Sequence, residues 1–556
     1  MKTDIEISSE TTLSDIRDIA SSAGIDEKYL YRYGSHKAKI DISYLKENQN
    51  KADGKLILVT AINPTPAGEG KTTVSIGLAD GLNRIGKKAV LALREPSAGP
   101  VFGMKGGATG GGYSQVVPME DMNLNFTGDL HAITAANNLL AALIDNHMRL
   151  RTEPIIDPLS VTFRRCLDVN DRQLRNVITG LGGKADGAPM QTGFDITAAS
   201  EVMAIFCLAT SLSDLKQKLA KIVIGYDYDA NPVTAGDIKA ADSMAILLKD
   251  AINPNLVQTI YKTPAFVHGG PFANIAHGCN SILATRMAMK AGEIAVTEAG
   301  FGADLGAQKF LDIKCSMAGI NPNAVVIVAT LRALKMHGGK KKEELTQEDV
   351  EALKRGFSNL QKHLENIKNV YKLPAVVAIN IYPTDTEAEL SWLKKAVTDM
   401  GVRIAETRGH GLGAEGAEEL ARICLEAIED KNDFTHVYET QNTIKEKIEA
   451  IATKIYGAEG VQYSQKALNE IKKYEKAGFA QLPICIAKTQ YSLSDDPKLM
   501  GRPKGFTLNV REIRLSAGAG FLVAATGEIM TMPGLPKVPA ACTMTIDDDG
   551  NIKGLF

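Results

Sequence analysis

The chain predicts an α/β protein: a P-loop-containing, parallel-sheet nucleotide-binding domain with two smaller α/β domains. Three observations carry this. The apolar run LILVTAI (56–62) is followed by a glycine-bearing turn, the helical stretch TTVSIGLADGLNRIG and a second apolar run, AVLALRE (89–95), which together form a βαβ unit with parallel strands. A second unit of the same kind follows as AVVAINIY (375–382), TEAELSWLKKAVTDMG (386–401) and VRIAET (402–407). At 556 residues, the chain is too long for a single hydrophobic core.

Composition limits what such a protein can do. A hydrophobic content of 44% with 23% charged residues is ordinary for a globular chain. The formal net charge of −2 gives no electrostatic case for nucleic acid or a membrane surface as partner. No apolar run approaches the roughly 20 residues that span a bilayer. The N-terminus MKTDIEISSETTLSD lacks the basic start and apolar stretch of a signal peptide. Seven scattered cysteines without a C-x-x-C pair fit buried thiols in a reducing, cytoplasmic setting.

In chain order, residues 1–54 read as a polar helical cover. The loop after the first strand, TPAGEGKTT (65–73), ends as a P-loop does, with Thr65 where the usual pattern has glycine. Backbone N–H groups of such a loop wrap phosphates, its lysine reaches the β- and γ-phosphates, and the next hydroxyl ligates Mg²⁺. Thr65, Pro66 and Ala67 would lead in, Gly68, Glu69 and Gly70 would form the turn, and Lys71 and Thr72 would supply charge and metal ligand. A following helix adds unpaired amides aimed at the anion.

The next strand ends in Arg94 and Glu95, where a parallel strand opens toward the ligand crevice. Arginine offers carboxylate or phosphate a rigid fork that lysine lacks. Six of the ten residues 103–112 are glycine, with Lys105 among them, a composition suited to an amide nest. Glu120, Asp121, Asp129 and His131 follow as possible metal ligands, proton acceptors or helix caps. His268, His277 and Cys279 match no zinc spacing and read as a polar turn. IVIGY (222–226) and AVVIVAT (324–330) continue the α/β alternation, and Arg332 and Lys335 follow the latter. The charged stretch 338–367 reads as a solvated helix at a domain seam, which divides the chain into 1–360, 361–455 and 456–556.

These segments resemble one family, the formate–tetrahydrofolate ligases. TPAGEGKTT is the family form of the loop, so Thr65 is regular there. GMKGGATGGGY (103–113) and VATLRALKMHGG (328–339) are its most diagnostic stretches. PMEDMNLNFTGDLHAI, PFANIAHGCNS, TEAGFGADLGAQKF, AKTQYSLSDDP and MPGLPKVPAA extend the likeness toward the C-terminus. The resemblance implies ATP-dependent joining of formate to N10 of tetrahydrofolate through formyl phosphate. It implies Mg²⁺, help from a monovalent cation and a homotetramer. It implies that Lys71 and the 65–72 loop bind ATP, that Arg94 holds formyl phosphate, and that Asp129 lines the same pocket as a candidate acceptor of the N10 proton. It also implies a pterin stacked between two aromatic rings. The matching positions are Tyr382, where phenylalanine is usual, and His410, where tryptophan is usual. The smaller imidazole face predicts weaker or more pH-dependent pterin binding. Residue chemistry alone leaves open a P-loop ligase for another carboxylate and a regulatory P-loop ATPase.

Overall fold

The computed structural model describes residues 2–66, 68–103, 109–527 and 529–555. Its centre is a 12-stranded mixed sheet. The chain opens with β1 (Leu30–Arg32) and β2 (Ala38–Ile40), followed by β3 (Lys55–Ala61), β4 (Ala89–Leu93) and β5 (Ser114–Val117). Next come β6 (Asn255–Thr259), β7 (Pro264–Val267) and β8 (Ile294–Glu298), then β9 (Ala324–Ala329), β10 (Ala375–Asn380) and β11 (Arg403–Thr407). Across the sheet the order is β1-β2-β6-β7-β4-β8-β3-β9-β10-β11, with β5 joined to β6 and the two-residue strand Gly110–Gly111, the twelfth, joined to β5. From β7 to β11 every pairing is parallel. The carboxyl ends of these strands therefore open on one edge, where ligands of open α/β sheets bind.

Alternation along β3 explains why this strand is central. Leu56 and Leu58 face one core, while Ile57 and Val59 face the other, and all four are fully buried. The second face is covered by Val74, Ile76, Leu78 and Leu82 of α1 (Lys71–Arg84), together with Leu420 and Cys424. Gly77 and Gly81 let α1 sit close to the 409–417 segment: a Cβ at Gly81 would lie 2.9 Å from the Ala417 carbonyl oxygen.

Asp80 is the unusual residue on this helix. It is buried and accepts from Thr259 Oγ1 at 2.6 Å, and burial pushes its carboxyl up to about 7. The unfolded carboxyl releases its proton near 3.8. Between these values the folded chain holds a proton that the unfolded chain has lost, so stability falls as pH rises across the window. Asp80→Asn should flatten that slope, and denaturant midpoints measured from pH 4.5 to 7.5 would check it.

Four segments differ from the sequence expectation. The first 54 residues are more than a polar cover. β1 and β2 extend the sheet edge antiparallel onto β6, and Ile16, Ile19, Ala20, Ala38, Ile40 and Tyr44 are buried there. IVIGY does form a strand, Val223–Tyr226, but it pairs antiparallel with Pro232–Thr234 outside the main sheet. The charged stretch holds a helix, α2 (Val350–Glu365), that is solvated on one side only, with Leu353, Asn359, Leu360 and His363 buried. β10 and β11, expected in the 361–455 unit, carry the large sheet onward from β9. Beyond 456 lie smaller sheets, one joining Ile484–Ala487, Phe521–Ala525 and Glu512–Ser516. No helix among the described residues is long and apolar enough to cross a membrane.

Candidate active site

The loop between β3 and α1 is held by its own side chains. Glu69 Oε1 accepts from Thr65 N–H at 2.8 Å and from Thr65 Oγ1 at 3.1 Å, and Thr65's carbonyl accepts from Gly68 N–H. The Oγ1 bond is the one of these three that a glycine could not make. Gly70 caps α1 in the left-handed region at φ 70°, and a Cβ there would lie 2.3 Å from Asn380 Nδ2. That amide donates to the Glu69 carbonyl at 3.1 Å and ties the end of β10 to the loop. Gly70→Ala should therefore cost about 1–3 kcal/mol through backbone strain alone, more with the clash. Urea unfolding would measure it. Ala67 lies outside the described residues, and Pro66 is exposed at the tip.

Lys71 and Thr72 are the first two residues of α1. Both turn to Glu298, the last residue of β8: Lys71 Nζ and Thr72 Oγ1 each lie 2.9 Å from Glu298 Oε2. From β4 on the other side of β8, an Arg94 guanidinium nitrogen lies 3.6 Å from Glu298 Oε1. Arg94 Nε is buried with no hydrogen-bond partner among the described residues. Burial opposes the charge on Glu298, but Lys71 and Arg94, with the bonds from Lys71 and Thr72, outweigh it and leave its pKa lowered. The sheet order explains this convergence, because β8 lies between β3 and β4.

Glu298 is the residue that sequence reasoning missed. Its signal was faint, a single carboxylate closing the apolar strand IAVTE. A hydroxyl and a carboxylate oxygen so close together are hard ligands that suit Mg²⁺. Among the described residues no group of three or more His, Cys, Asp or Glu could hold a metal alone. An ion held by Thr72 and Glu298 would take its remaining ligands from phosphate and water, as Mg²⁺ commonly does.

The other candidates surround this centre. Glu95, next to Arg94, is fully desolvated. Burial first, then Asp129, pushes its carboxyl well above the ordinary range. Asp129 itself is buried, with Lys39 Nζ 2.7 Å from Oδ1 and Asn255 Nδ2 donating to Oδ2 at 2.8 Å. Its negative charge is already met by Lys39, and among the described residues no hydrogen bond or ion pair joins it to Arg94. Lys105 lies outside the described residues. The His268, His277 and Cys279 turn is buried; His268 bonds Ser281 and the Ala251 carbonyl.

Tyr382 follows β10, is half-buried, and has the Arg332 guanidinium 4.1 Å from its ring centroid. His410 lies in the helical turn Gly409–Leu412, exposed to solvent. Its carbonyl accepts from Tyr113 N–H at 2.9 Å, which joins this turn to the glycine-rich segment. Gly112 N–H in turn donates to Asp4 Oδ1 at 2.8 Å, and Gln115 Nε2 donates to the Asp4 carbonyl at 3.0 Å. The rings of Tyr382 and His410 do not touch one another.

Arg94, Glu298, Arg332 and Tyr382 all stand at or just beyond the carboxyl ends of the parallel strands, with Lys71 and Thr72 at the helix that follows β3. Such an edge can hold a polyanion beside a carboxylate. The family model described as formate–tetrahydrofolate ligase matches residues 2–556. A curated relative from Symbiobacterium thermophilum, named formate–tetrahydrofolate ligase, is 57% identical over 556 residues, covering 100% of both chains.

Proposed function

The chain belongs to the formate–tetrahydrofolate ligase family, and we propose that it joins its substrates through formyl phosphate made beside Arg94. ATP-dependent ligation of formate to tetrahydrofolate is the family's reaction. The observation that supports our reading of its course is the convergence of Lys71, Thr72 and Arg94 on Glu298. It sets a site for a triphosphate end beside a guanidinium suited to a small carboxylate.

Formate resists attack because its charge repels nucleophiles, and phosphorylation removes that obstacle. In the first step a formate oxygen forms a bond to the γ-phosphorus while the bond from that phosphorus to the ADP oxygen breaks. Arg94 holds the formate oxygens, and Lys71 neutralises charge on the transferring group. Mg²⁺, held by Thr72 and Glu298 when bound, supplies further neutralisation at the phosphates. In the second step the N10 amine of tetrahydrofolate forms a bond to the formyl carbon. The bond from that carbon to the phosphate oxygen breaks, and the proton lost by the amine ends on the departing inorganic phosphate.

One formate oxygen must therefore end in the inorganic phosphate. Labelling formate with oxygen-18 tests this: labelled phosphate is the expected result, and unlabelled phosphate rules out the mixed anhydride.

Tyr382 and His410 are the proposed pterin-facing rings. His410→Trp should tighten tetrahydrofolate binding several-fold, because indole offers a larger face. Titration of folate affinity checks this, and an unchanged affinity would remove His410 from the stack.

A further inference from the structure

Asn63 leaves β3 just before the loop, and every polar group it owns is engaged. Its N–H donates to Asn359 Oδ1 at 3.3 Å, and its carbonyl accepts from His337 Nε2 at 2.9 Å. Its Oδ1 accepts from Asn359 Nδ2 at 2.9 Å and His363 Nε2 at 3.0 Å. Its Nδ2 donates to Asp304 Oδ1 at 3.0 Å and to the Gln490 carbonyl at 3.3 Å. Asn63, Asp304, Asn359 and His363 are all fully buried.

The partners come from each side of β3. Asp304 follows β8, His337 ends the helix after β9, and Asn359 and His363 lie on α2. The fourth contributor is distant in sequence. Lys488 Nζ lies 2.8 Å from Asp304 Oδ2 in a pair that is wholly buried. Gly501 N–H donates to His337 Nδ1 at 3.2 Å, and its carbonyl accepts from Asn359 Nδ2 at 2.7 Å. Arg502 adds a two-point bond to Glu365 at 3.0 and 2.7 Å. Gly302 permits the close approach: a Cβ there would meet Asp304 Oδ1 at 2.7 Å and Asn63 Cα at 3.2 Å.

We propose that Asn63 is a positioning residue through which the C-terminal segment 488–502 sets the seat of the 65–72 loop. The inference rests on reading that loop as the ATP site. The physical reason is reach. Thr65 is two residues from Asn63, and a shift of about 1 Å in a reacting group can cost on the order of a hundredfold in rate. A buried network in which each donor has one acceptor permits one arrangement and penalises others. The segment 488–502 therefore acts on the site without touching a reactant.

Asn63→Asp tests it with almost no change in volume. The new carboxylate oxygen would face Asp304 Oδ1 and the Gln490 carbonyl, both acceptors. The expected result is a folded enzyme whose KM for ATP rises at least tenfold while the KM for formate stays within twofold. Asn63→Asp combined with Asp304→Asn restores one donor–acceptor pair and should recover part of the ATP KM. Arg502→Gln, which loosens only the outer pair, should change the ATP KM less than threefold. If Asn63→Asp does not fold, Asn359→Ser opens the same network without a new charge and is read in the same way. An unchanged ATP KM, or equal rises for ATP and formate, overturns the proposal. The wild-type enzyme assayed in parallel separates the two readings: absence of formate-dependent ATP use there would refute the ATP site itself.

Discussion

Arg94→Ala should lower formate-dependent ADP release by about a thousandfold while ADP binding changes only a few fold. A positioned cation that meets charge in phosphoryl transfer accounts for roughly this much. The split follows from where Arg94 stands. It leaves β4, one strand removed from the loop strand β3, and shares Glu298 with Lys71. Its side chain keeps 21% exposure beside a Glu298 that is 1% exposed, so part of the guanidinium is open to a carboxylate. Arg94→Lys should recover little, since an ammonium lacks the planar fork. ADP release with and without formate, beside ADP affinity by calorimetry, checks both halves. Undiminished release in Arg94→Ala would take this residue out of the mechanism.

Glu298→Gln should produce two opposite effects. Turnover should fall by about a hundredfold or more, and half-saturation by Mg²⁺ should rise, because the amide is a weaker ligand than the carboxylate. Metal-free ADP should bind at least as tightly as to the wild type, because a buried negative charge next to the proposed phosphate site is gone. Glu298 is 1% exposed and meets Lys71, Thr72 and Arg94 together. With glutamine the two cations lose their shared counter-charge, so the fold itself needs checking by thermal unfolding. Turnover measured against Mg²⁺ concentration separates the effects, and an unchanged Mg²⁺ dependence would exclude Glu298 as a metal ligand.

The parts of this site that the sequence revealed are those carried by contiguous residues. β3, the loop, α1 and β4 lie within residues 55–93, and their periodicity and glycines are local signals. Arg94 was legible because it directly follows an apolar strand. Glu298 was not, since only the order of strands puts it between Lys71 and Arg94, and strand order is a tertiary fact. The Asn63 network is a stronger case: it joins residues 241, 296, 300 and 427 positions apart. The antiparallel edge escaped because β1 and β2 have three residues each, too few for an alternation to stand out. IVIGY was recognised as a strand, yet an apolar run does not say which strand it will join.

Asp4 gives the short helix it opens, Asp4–Glu10, a reach far beyond its size. Because it clasps the backbone at Gly112 and the side chain of Gln115, and Tyr113 is bonded to the turn of His410, the opening residues brace one wall of the proposed pterin stack. Fusions or trims at the amino end are consequently not silent choices for anyone studying folate affinity in this enzyme.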